Sequence, residues 1–160
     1  MAERKLLSIY LNDHLAGAAV GVELAKRTLR SNRGNDLGAY LESLVPELME
    51  DRRTLLTVMQ QVGVRPSRVK PALALVAERL GRLKLNGQVT GYSPLSRVLE
   101  LEGLTMGIQG KLSLWRNLRD ATGVAERLQG IALEELISRA ERQQAGLEPH
   151  RVEAARHALD

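Results

Sequence analysis

Arg52 and Glu102 are the residues whose placement most invites chemistry. Each falls inside or against the apolar stripe of a predicted helix. A stripe that faces a core should be apolar, and a buried charge must be paired or coordinated. The pattern predicts a polar network at the centre of a helical protein. In it Arg52 pairs with Glu102, and Asp51, His14, Gln109 and Glu141 lie nearby. Removing one member of such a buried pair costs roughly 3–5 kcal/mol.

Other constellations are weaker. His150, Glu153 and His157 stand at i, i+3 and i+7, a spacing that places an imidazole–carboxylate set on one helix face. Such a set can hold zinc, but this one sits on the terminal turns and off the apolar stripe. His14 beside Asp13 suggests acid–base work, yet no Gly-x-Ser-x-Gly nucleophile motif accompanies it. No phosphate-binding loop or dinucleotide fingerprint occurs. Arg65, Arg68, Lys70, Arg79, Arg82 and Lys84 form a basic stretch with only Tyr92 nearby as a stacking platform. It reads as a solvated cationic face, which argues against nucleic acid as a partner.

The elements that must position these residues are helices. Leu7, Leu11, Leu15, Ala18, Val22, Ala25 and Leu29 recur at three- and four-residue steps and predict a helix over 3–30. Leu37, Leu41, Leu44, Val45, Leu48, Leu55, Met59 and Val62 predict a second over 37–62, with Pro46 either kinking it or marking its start. A shorter helix is expected over 68–84. Ser93-Pro94 is a cap-plus-first-turn signal for a helix over 94–120, with Val98, Leu101, Thr105, Ile108 and Leu112 inward and Leu104 and Trp115 on one flank. Glu102, Gln109 and Arg116 recur every seven residues on the other flank. The last helix is expected from Val124 or Ile131 to Ala158, with Leu133, Leu136, Ile137, Ala140 and Leu147 inward and Pro149 interrupting it. Gly17 with Gly21, and Gly103 with Gly107 and Gly110, suggest close backbone approach between helices or subunits.

Composition sets the outer bounds. A chain of 160 residues suits one domain over 1–160. It has no cysteine and no phenylalanine, so the core is aliphatic, and disulfides, thiolate nucleophiles and cysteine metal sites are excluded. The absence of cysteine fits a cytoplasmic protein. The charges, 23 basic against 19 acidic, are interspersed. Arg4 and Lys5 precede an apolar run, but Asn12, Asp13 and His14 interrupt it, so the run reads as a structural helix rather than a signal peptide. No stretch approaches the ~20 apolar residues that span a bilayer, and no membrane association is expected.

Two long helices, a long connection holding a short helix, and two more long helices are the layout of a ferritin-like bundle. The segments YLNDHLAGAAVGVELAKR (10–27), SPLSRVLELEGLTMGIQGKLSLWRNL (93–118) and EELISRAERQQAGLEPHR (134–151) resemble an uncharacterised bacterial group of ferritin-like four-helix bundles. The resemblance implies an all-α, ferritin-like four-helix bundle with a short extra helix in the crossover between the second and third long helices. Metal-binding members of that class use two Glu-x-x-His motifs, and this chain has none. It implies two functions. One is a non-catalytic bundle without cofactor that acts through protein association, as a homodimer, with a polar network in place of the metals. The other is an iron- or manganese-dependent oxidoreductase or storage protein with the atypical ligands His14, Glu47, Glu50, Glu102 and Glu141. Arg52, a fixed cation, argues for the first.

Overall fold

A computed structural model describes residues 2–67 and 92–160. The short helix expected over 68–84 lies outside the described residues. Four long helices carry the fold: α1 (Ala2–Ser31), α2 (Asp36–Gln61), α3 (Pro94–Asp120) and α5 (Leu133–Leu159). A single turn, α4 (Thr122–Ala125), stands between the last two. No strand occurs among the described residues.

The ends of these helices follow local chemistry. Gly34 takes a positive φ of 88° in the turn after α1, a conformation that favours glycine. The Asn35 side chain then accepts from the Gly38 N–H at 2.9 Å and caps α2. The Ser93 hydroxyl accepts from the Ser96 N–H at 3.0 Å, and Pro94 occupies the first turn of α3. Pro46 neither starts nor ends α2, and Pro149 does not interrupt α5. Each removes one helical bond, to Glu42 and Ala145 respectively. Both of those residues are exposed, so water can take up the freed carbonyl.

The predicted stripes of α2 and α3 are buried almost throughout, and Trp115 joins the core from its flank. Apolar residues from all four long helices form one continuous cluster. Contacts fix the directions. Tyr10 meets Asn117, so the start of α1 lies by the end of α3. Tyr40 meets Gln143 and Gln61 meets Gln129, so α2 and α5 also run antiparallel. It follows that α2 and α3 are parallel. The described ends of their connection sit at opposite ends of α1: Arg65 against Asn12, and Tyr92 against Asn32.

The glycines divide into two kinds. A Cβ on Gly38 would lie 2.0 Å from the Asn32 carbonyl oxygen, and one on Gly103 would lie 3.1 Å from Leu24. These are close approaches. Gly17, Gly21, Gly107 and Gly110 correct the sequence expectation, because an added Cβ there meets nothing within 4 Å. Gly38→Ala is therefore expected to destabilise by about 1–3 kcal/mol through overpacking against backbone. Gly107→Ala is expected to stabilise by up to ~1 kcal/mol through helix propensity. Chemical denaturation of both variants checks the pair, and equal effects at the two sites would refute this division.

Candidate functional site

Asp51 follows Leu48 by three residues and precedes Leu55 by four, so helical geometry points it into the core. Its side chain is 3% exposed. Two cations from other helices meet it. The Lys111 ammonium of α3 donates to Oδ2, and Arg139 Nη1 of α5 donates to Oδ1 at 2.9 Å. Gln143 of α5 completes the group. Its side-chain amide donates to Glu47 at 2.8 Å and to Asp51 at 3.4 Å, and its oxygen accepts from Lys111. The Gln143 backbone carbonyl accepts from the Tyr40 hydroxyl at 2.8 Å. Burial pushes the Lys111 ammonium below its usual range, while Asp51 beside it acts in the opposite direction. Desolvation and the neighbouring Glu47 push the Tyr40 phenol up to about 12.

A second buried cluster joins the end of α1 to the start of α3. Glu100 is fully buried, with Oε1 3.1 Å from Arg27 Nε and Oε2 accepting from the Tyr92 hydroxyl at 2.7 Å. Asn32 donates to the same hydroxyl at 3.2 Å, and Arg97 lies over the Tyr92 ring at 5.5 Å. Burial raises the Tyr92 phenol well above its usual range.

The centre predicted from sequence is thus corrected. Of its six residues, Asp51 alone belongs to the buried ion network. Glu102, Gln109 and Glu141 are exposed. Gln109 meets Gln144 at 2.8 Å and Arg116 pairs with Glu141 at 2.6 Å, while Glu102 acts on Arg151 through its charge. The seven-residue column is therefore a surface ladder between α3 and α5. Glu102 sits one residue beyond the stripe position Leu101, which turns it away from the core. Arg52 is half-buried and pairs with no described carboxylate, and its Nε is buried without a hydrogen-bond partner. His14 is half-buried, packs edge-on against Tyr10 with ring centroids 4.6 Å apart, and is held below its usual pKa by desolvation.

The alternative ligands His14, Glu47, Glu50, Glu102 and Glu141 are not brought together. Glu50 is engaged by Arg53, and Glu47 by Gln143. Among the described residues, no group of three or more histidines and carboxylates is placed to hold a metal ion. That includes His150, Glu153 and His157, and His150 packs instead on Tyr40. Lys111, Arg139, Gln143, Arg27 and Glu100 were missed by the sequence reading. Gln143 carried a signal: it follows Ala140 by three residues and precedes Leu147 by four, as Asp51 does between Leu48 and Leu55.

A cavity of about 260 Å³ adjoins the ion network between α1, α2 and α3. Gly17, Gly21, Gly107 and Gly110 form walls, and Leu48, Leu55, Leu104 and Ile108 supply apolar surface. Arg52, Asp51, Lys111, His14 and Asp13 contribute polar groups. Trp115 also lines it, 1% exposed, and its indole N–H is buried without a partner. Comparison with protein-family models, with curated proteins and with solved structures returned no match.

Proposed function

We propose that the protein is a non-catalytic, ferritin-like four-helix bundle that works by association. An internal ion network takes the place of a metal centre. The helix directions support the ferritin-like reading. A parallel second and third long helix require a connection that returns along the bundle, which is the mark of that class. The observation that carries the functional reading is the state of Asp51. Both of its oxygens already accept from cations supplied by the chain, Lys111 and Arg139. A divalent ion there would displace or repel two fixed positive charges. The residues present therefore do not fit a dimetal centre.

Exposed apolar side chains support association. Leu6 and Ile9 lie one turn apart on α1, and Met106 stands out from α3. A second copy of the chain is the simplest partner. No described helix is long and apolar enough to cross a membrane. A cytoplasmic location and the absence of a nucleic-acid partner complete the reading.

Elemental analysis tests it. Untagged protein is purified without chelator, then analysed again after loading with iron or manganese. The expected result is no stoichiometric metal and an unchanged melting temperature. About one or two bound equivalents that disappear in Asp51→Ala would overturn the reading in favour of a metal-dependent protein.

A further inference from the structure

We propose that the cavity between α1, α2 and α3 binds a small amphipathic monocarboxylate, with its apolar body along the glycine walls and its carboxylate on Arg52 and the Trp115 indole. Two independent observations converge on this site. The first is the space. Four exposed or partly exposed helical glycines line the cavity, and an added Cβ on any of them meets no atom within 4 Å, so the chain leaves this space open. Each weakens its helix relative to alanine, and none is explained by a close neighbour.

The second observation is the pair of unsatisfied donors. Arg52 Nε and Trp115 Nε1 are both buried without a hydrogen-bond partner, and both residues line this cavity. More than nine in ten buried polar groups are hydrogen-bonded. Two residues with orphaned donors at one void call for an acceptor brought from outside. The guanidinium is permanently charged, so the fitting acceptor is an anion. A carboxylate has two oxygens and can accept from more than one donor.

The remaining charges do not compete. Asp51 is offset by Lys111 and Arg139, and Lys111 is committed to Asp51 and Gln143. Asp13 is exposed, where solvent screens it. One cation without a described carboxylate partner favours one negative charge. The apolar lining favours a hydrocarbon body. A cavity of about 260 Å³, set against the ~150 Å³ that accepts benzene, fits roughly ten heavy atoms.

Trp115 is the chain's single tryptophan, so its fluorescence reads this cavity alone. Full-length protein is titrated with hydrocinnamate, octanoate and hydrocinnamide. Saturable change with either acid supports the site, and the better of the two identifies an aromatic or an aliphatic body. The amide is expected to bind at least ~10-fold more weakly, the worth of one charge-assisted hydrogen bond. Arg52→Met is expected to erase that preference. Gly107→Leu, which fills the void from a position where an added Cβ meets nothing, is expected to abolish binding. Gly21→Leu does the same from the facing helix should the first variant fold poorly. Equal affinity for acid and amide would overturn the carboxylate assignment. No response to either acid, or unchanged binding in both filled variants, would overturn the site. Metal at the centre would contradict the proposed function and leave this assay intact, so the two fail separately.

Discussion

Asp51→Ala is expected to destabilise the protein by roughly 3–5 kcal/mol, the range for removing one member of a buried ion pair. The variant leaves Lys111, with a side chain only 13% exposed, facing Arg139 with no carboxylate between them. The Gln143 amide loses one of its acceptors as well. For a chain of this size each kcal/mol moves the melting temperature by about 2–4 °C, so a fall of roughly 10 °C is expected. Circular dichroism during thermal and urea unfolding measures it. A loss below ~1 kcal/mol would mean that the network carries little stability. The double variant Asp51→Leu with Lys111→Met should recover part of the loss, because replacing a whole buried pair with apolar groups is frequently neutral.

Glu100→Ala is expected to cost a similar ~3–5 kcal/mol for a different reason. Glu100 is fully buried and receives both Arg27 and the Tyr92 hydroxyl. Truncation removes the carboxylate that Arg27 and the Tyr92 hydroxyl both meet and leaves a void beside them. The damage should be local to one end of the fold. Amide exchange should rise in the turn around Asn32 and in the first turn of α3, with α5 less affected. Glu102→Ala supplies the contrast. Glu102 is exposed, and surface substitutions of this kind stay within about 0.5 kcal/mol. A larger loss at Glu102 than at Glu100 would restore the buried pair that the sequence suggested.

That contrast shows where sequence reading reaches its limit. The four long helices were legible because aliphatic residues recur on one face over many turns. Their ends were legible because Asn35 and Ser93 are capping residues placed just before those stripes. The polar centre was not. Asp51 and Arg52 are adjacent, and only the register decides which one points inward. Asp51 stands three residues after Leu48 and four before Leu55, Arg52 four after and three before, so both fit helical steps and the spacing alone does not choose between them. The same one-residue shift separates Gln143 from Gln144, and Glu100 lies two residues from Glu102. Lys111 and Arg139 reach the centre on long flexible stems, so helix position alone does not disclose where their charges end.

The glycines were ambiguous for a related reason. Spacing placed Gly17 and Gly21, and Gly107 and Gly110, on shared helix faces. Close approach and vacancy give the same spacing, and the difference lies in what stands opposite. Gly103 faces Leu24, whereas Gly107 faces open space. Trp115 reads as an ordinary core residue in sequence. Its unpartnered N–H is visible only once its neighbours are placed.

Asp51 is neutralised by cations of its own chain. A double-mutant cycle between Asp51→Ala and Lys111→Met, read by chemical denaturation, measures that directly. A coupling of at least ~2 kcal/mol is expected, within the range for residues sharing one ionic network. Additivity of the two variants to within about 0.5 kcal/mol, the behaviour of independent sites, would contradict it.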